Sequence, residues 1–125
     1  MDSLLTTQET LSVIQRFNEA FNRHDVDAIM ALMTEDCVFE NTNPPPDGGR
    51  LEGQAAVRRC WEELFQASPA AHFETEDVFA AGDRGTVRWL YDWVDPKGGA
   101  GHIRGVDVFR VRDGKIAEKF SYVKG

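Results

Sequence analysis

Beyond Pro69 the chain changes its hydrophobic period, and that change limits the folds open to it. Residues 73–80, 86–94, 103–111 and 116–123 alternate apolar and polar side chains, the pattern of half-buried strands. Their links read G-D-R-G, D-P-K-G-G-A-G and R-D-G, which is turn chemistry. Before Pro69 the period is helical. Val13, Ile14, Phe17, Ala20 and Phe21 give one apolar face to a helix from Gln8 to about Arg23, with Thr6 and Glu9 spaced as a capping box. Asp25 is placed to cap a second helix, Val26 to Met33. Gly53 opens a third, to about Ala67, with Val57, Trp61, Leu64 and Phe65 on one side. Cys37 to Asn41 reads as a short strand. Thr42 to Arg50 carries three prolines and reads as a loop. Helices first and a four-strand antiparallel meander second predict an α+β domain, three N-terminal helices packed on a curved antiparallel sheet.

A chain of 125 residues fits one domain, residues 1–125. Its net charge of −7 argues against nucleic acid or an anionic membrane as partner, because phosphate binding needs clustered Lys and Arg. No stretch reaches the length of a membrane span, and M-D-S-L-L-T-T-Q-E-T lacks the features of a signal peptide. A cytoplasmic protein is the expectation. Cys37 and Cys60 make no metal spacing and read as free buried thiols of a reducing compartment. The three histidines share no ligand spacing, and no phosphate-cradling glycine motif precedes a helix. Neither a metal nor a cofactor is expected.

Two features point to a site. Val87, Trp89, Tyr91 and Trp93 share one strand face, as core packing or as the wall of a cavity. Asp107 shares a face with Ile103, Phe109 and Val111, where an apolar residue is expected. It either serves a pocket or pairs with His102, Arg104 or Arg88 to hold strands together.

The runs F-N-R-H-D-V-D-A-I-M-A-L-M-T-E-D-C-V-F-E-N, L-E-G-Q-A-A-V-R-R-C-W and G-V-D-V-F-R-V-R-D-G-K-I-A-E-K-F-S-Y resemble, in this order and spacing, the NTF2-like superfamily and its SnoaL-like branch. The resemblance spans about Thr7 to Val123. It implies a cone-shaped roll, three helices against a strongly bent antiparallel sheet, enclosing an apolar pocket. It also implies a homodimer through the outer sheet face, which would put Phe120 and Tyr122 at the partner. Val106-Asp107-Val108-Phe109-Arg110 is similar to the steroid-isomerase strand that carries an oxyanion-hole aspartic acid, and Asp107 falls on that residue. A carboxyl kept neutral in an apolar pocket can donate a hydrogen bond to a developing enolate; the isomerase is the standard worked case of this effect. The isomerase's tyrosine falls on Phe17 and its general base on Asn41, so steroid isomerisation itself is not implied. Glu40 neighbours Asn41 but points to the opposite strand face. Trp61 falls on another pocket aromatic. The carboxylate pair and arginine of the related epoxide hydrolases meet Ser121, Trp89 and Val87, so that activity is not implied either. The polyketide cyclases of the branch need only one pocket carboxylate.

These readings converge on a pocket for a small apolar carbonyl compound, polycyclic ones included, with cofactor-free proton transfer next to the carbonyl: isomerisation, aldol cyclisation or dehydration. Asp107, Asn41 and Tyr91 are the candidate catalytic residues; Asn41 would bind the ligand carbonyl or merely end its strand, and Tyr91 would replace the lost hydroxyl. Phe17, Phe39, Trp61, Trp89 and Trp93 are the candidate walls. The alternative is a non-catalytic binding or dimerisation module of the same fold. His24 reads as structural, His72 as solvated, and His102 as a residue at the start of its strand, with the pocket mouth as its alternative place.

Overall fold

The structure is a computed structural model and describes residues 3–94 and 97–124. The elements run α1 (Ser3–Asn22), α2 (Val26–Ala31), β1 (Met33–Glu40), β2 (Arg50–Glu52), α3 (Gln54–Ala67), β3 (Phe73–Ala81), β4 (Arg84–Val94), β5 (Ala100–Arg112) and β6 (Lys115–Val123). The strands form one open sheet in the order β2-β1-β6-β5-β4-β3. The four C-terminal strands are the expected antiparallel meander. β1 joins them parallel to β6, and β2 pairs antiparallel on β1 at the edge.

Several boundaries differ from the sequence expectation. α1 starts at Ser3, so Thr6 and Glu9 lie inside the helix and do not cap it. Met33 opens β1 and does not close α2; it is buried in the core as a strand residue. Arg50 leaves the proline loop and starts β2. Of the D-P-K-G-G-A-G link, Asp95 and Pro96 lie outside the described residues, and Ala100 and Gly101 already belong to β5. Asp25 caps α2 as expected, its Oδ1 accepting from the Ala28 amide at 3.1 Å. Asp113 and Gly114 both take positive φ, 53° and 73°, the two-residue turn that suits a right-handed hairpin twist.

The helices are tied to the sheet by side chains that reach backbone. The Thr10 hydroxyl donates to the Gly82 carbonyl at 2.7 Å, and the Gly82 amide donates to Thr7 Oγ1 at 2.8 Å, so α1 grips the β3–β4 turn. Gln54 Nε2 donates to the carbonyls of Met30, Met33 and Thr34 at 3.0–3.2 Å and holds the corner between α2 and β1. His24, in the left-handed region at φ 58°, stacks on Phe65 and donates from Nε2 to the Ala71 carbonyl. Its role is structural.

The core lies between the helices and the inner sheet face, around Val13, Ile14, Phe17, Ile29, Val57, Trp61, Phe109 and Ile116. One irregularity decides what else faces inward. Val111 pairs with Ile116, but Arg110 pairs with Glu118, so Ala117 is an extra residue in β6. Ile116 and Ala117 are both buried, and beyond them the alternation has slipped by one. Lys119 and Ser121 therefore pair with the inward residues Phe109 and Asp107, while Phe120 and Tyr122 pair with Val108 and Val106 on the outer face. Bulges of this kind re-aim side chains.

Candidate functional site

A cavity of about 370 Å³ lies between α1, α3 and the bent sheet. That volume falls in the range of small-molecule pockets. All eight sequence candidates line it: Asp107, Asn41, Tyr91, Phe17, Phe39, Trp61, Trp89 and Trp93. They do not all stand together.

The polar groups gather where β1, β6 and β5 lie side by side. The Ser121 hydroxyl donates to Asp107 Oδ1 at 2.6 Å and accepts from Lys119 Nζ at 3.0 Å. Lys119 Nζ lies 3.4 Å from Asp107 Oδ2. The Asp107 and Lys119 side chains are only 10% and 8% exposed, so the pair is largely out of water. Asn41 follows Glu40, which pairs with Phe120, and so comes level with Ser121. Its Oδ1 accepts from the Thr42 amide at 2.7 Å, which orients the side-chain amide and turns Nδ2 toward Cys60 Sγ at 3.9 Å. That sulfur is a weak acceptor, so Nδ2 keeps donor capacity for a ligand.

The partner expected for Asp107 is not the one found. Arg104 pairs with Glu76 at 3.0 Å and Arg88 with Asp77 at 3.8 Å, both on the solvent side. His102 is exposed beside Arg104, away from the cavity. Lys119 takes their place. Glu40 stays outside too, paired with Arg50 at 2.9 Å.

The walls are aromatic. Trp61 meets Phe39 at 4.4 Å and Phe21 at 5.2 Å between ring centroids, and Phe17 packs edge-on to Trp61 and Phe109. Lys119 Nζ lies 4.6 Å from the Phe39 centroid and 5.3 Å from that of Trp61, within cation–π range. Trp89 lies across Gly105, the residue it pairs with on β5. The indole N–H groups of Trp61 and Trp89 are buried and have no protein acceptor. Trp93 is a rim residue: it is 43% exposed and lies over Gly101. Tyr91 stacks on Phe73 at 4.7 Å. It pairs with Ile103 and Asp107 with Val87. Four residues of strand, about 13 Å, separate the two positions, so Tyr91 serves the outer end of the cavity.

Lys119, Phe21, Phe73 and Cys60 are lining residues that sequence reasoning missed. Cys60 is half-buried at the cavity; Cys37 is the fully buried thiol. Burial pushes the Cys60 thiol up from its ordinary range, opposed by the charge of Lys119. Cys60 is expected to alkylate with iodoacetamide about tenfold more slowly than free cysteine near neutral pH, accelerating as pH rises. Peptide mass mapping checks this, and an equal rate would mean an open, solvated thiol.

Among the described residues, no three His, Cys, Asp or Glu side chains come together as a metal would require. Nor, among them, is any helix long and apolar enough to cross a membrane.

Helices laid on an open bent sheet, with a cavity between the layers, define an NTF2-like protein. The chain belongs to the SnoaL-like domain family, whose model matches residues 14–119. An NTF2-like protein of unknown function from Mesorhizobium loti is similar at 41% identity over 95% of this chain and 93% of its own, with a TM-score of 0.80. A candidate polyketide cyclase from Xanthomonas campestris pv. campestris shares 26% identity over 95% and 93%, TM-score 0.79. A candidate ketosteroid isomerase from Kribbella flavida shares the fold, at 19% identity over 95% and 80%, TM-score 0.80. No curated protein matches.

Proposed function

We propose that the cavity binds a small apolar carbonyl compound and that Asp107 and Lys119 move a proton next to its carbonyl without a cofactor. The observation that carries this reading is the Asp107–Lys119–Ser121 group, buried and hydrogen-bonded at the polar end of an aromatic-walled cavity. Asp107, held by Ser121, is the acid/base. The Lys119 ammonium and Asn41 Nδ2 are donors aimed at the charge that develops on the carbonyl oxygen, where fixed donors do most for such a reaction. The unpartnered indoles of Trp61 and Trp89 suit a ligand that brings acceptors. Phe17, Phe39, Trp61 and Trp89 exclude water; Trp93 and Tyr91 shape the entrance. The likeness to the candidate cyclase fits this chemistry.

The test uses 2-naphthol, whose oxygen mimics an enolate, and 2-tetralone, whose α-protons exchange with D2O. The protein is expected to bind 2-naphthol in a fluorescence titration and to accelerate exchange followed by NMR. Asp107→Asn is expected to lower the exchange rate by about 10²–10⁴-fold, the usual contribution of a positioned acid/base. Absence of both binding and exchange overturns the proposal.

The outer sheet face supports a second reading, a homodimer. Val106 pairs with Tyr122 and Val108 with Phe120 there, and Tyr122 is 53% exposed. Light scattering on a sizing column is expected to give twice the chain mass, falling to one chain for Tyr122→Glu. A monomeric wild type removes the idea.

A further inference from the structure

Lys119 has a second capacity beyond its charge. Among the described residues it is the one buried lysine; Lys97, Lys115 and Lys124 are exposed. An amine held among apolar rings is poorly hydrated, and desolvation is a recognised way to make lysine a nucleophile. Three rings surround it: Phe39, Trp61 and Phe21, at 4.6, 5.3 and 5.9 Å. It lines the cavity together with Asn41. A proton acceptor stands within reach, Asp107 Oδ2 at 3.4 Å, and Ser121 bridges the two groups.

We propose that the Lys119 amine condenses with the carbonyl carbon of a cavity-bound aldehyde or ketone to form an iminium, so that the site works through enamine chemistry. The inference rests on the carbonyl-pocket reading above and deepens it. Lys119 first passes a proton to Asp107. Its nitrogen lone pair then forms the C–N bond, and the carbonyl oxygen takes up protons and leaves as water. An ammonium and a carbonyl become a protonated imine and one water, with no net proton gained or lost and no oxidant required. The iminium keeps the positive charge beside the Asp107 carboxylate, so the ion pair survives the reaction. Asp107 is then placed to remove the adjacent C–H proton and give the enamine. Among the described residues, Lys119 is ion-paired with Asp107, and the Cys60 thiol is close enough to feel the ammonium.

The experiment treats the full wild-type chain with 2-naphthaldehyde and sodium cyanoborohydride, which reduces an iminium to a stable secondary amine. Peptide mass mapping then reads each lysine. The naphthylmethyl adduct is expected on Lys119 about tenfold faster than on Lys97, Lys115 or Lys124, with 2-naphthol protecting Lys119 alone. Asp107→Asn is expected to slow labelling at Lys119 about tenfold and leave the exposed lysines unchanged. Labelling of the exposed lysines with Lys119 unmodified overturns the proposal, and so does an Asp107→Asn rate equal to wild type. If 2-naphthol binds while Lys119 stays unmodified, the imine fails and the pocket reading stands. If 2-naphthol does not bind and 2-tetralone does not exchange, the pocket reading fails, and the wild-type labelling pattern decides the imine on its own.

Discussion

Lys119→Met is expected to cost about 3–5 kcal/mol of folding stability, and Asp107→Leu added to it should restore most of that loss. The asymmetry follows from where the two charges sit. Each is about nine-tenths shielded from solvent, and each is the other's nearest opposite charge. Removing one partner strands a carboxylate or an ammonium among aromatic rings, and a stranded buried charge typically costs about 3–5 kcal/mol. Removing both leaves Met and Leu in an apolar wall, a replacement that is often neutral or even stabilising. Such a single loss is a large share of the roughly 5–15 kcal/mol a domain possesses. Urea unfolding of the two variants checks the claim through the shift in midpoint at constant slope. If single and double variants lose the same amount, the pair is not the buried unit described here. The same cycle separates stability from chemistry, because the double variant should fold while binding 2-naphthol poorly.

Gly105→Ala is expected to cost about 2–3 kcal/mol, at the upper end of ordinary overpacking, and to weaken 2-naphthol binding. A Cβ at Gly105 would lie 2.4 Å from both the Trp89 ring and the Tyr122 carbonyl oxygen. The oxygen belongs to the neighbouring strand, so the clash cannot be relieved by a rotamer change alone. β5 and β6 must part, or Trp89 must swing into the cavity it now borders. Gly101→Ala is the control. The three atoms nearest its Cβ would all belong to the Trp93 side chain, the first at 2.5 Å, and that ring is partly in solvent and free to yield. Urea midpoints and near-ultraviolet circular dichroism of the tryptophans distinguish the two. Equal small costs would mean that the Trp89 contact is soft.

Much of the architecture was legible because period and turn chemistry are local signals. The helical face of α1, the Asp25 cap and the Asp113-Gly114 turn all depend on residues within a few positions of one another. Boundaries slipped where a tertiary partner decided them. Met33 carries on a helical apolar pattern, yet β6 captures it as a strand through pairing with Ile116. β2 exists only because β1 offers its edge to three residues. At the site, the eight chosen residues reach one cavity because strand alternation and helix faces are also local. Lys119 escaped because strict alternation from Ile116 turns it outward. The pairing of Arg110 with Glu118 is what reverses it, and only the neighbouring Ile116-Ala117 doublet hinted at that shift. Alternation thus offered Asp107 only His102, Arg104 or Arg88 as a cation, and hid Lys119 one strand away on what looks like the wrong side.

The bulge at Ala117 also makes strand pairing, with no letter altered, the control for the polar end of the cavity. A β6 that paired evenly onward from Ile116 would exchange the lysine and serine for the phenylalanine and tyrosine that now face outward. A relative one codon shorter at this point would need no bulge and would present the same inward chemistry, which is a reason to compare such chains by strand pairing before comparing them by identity.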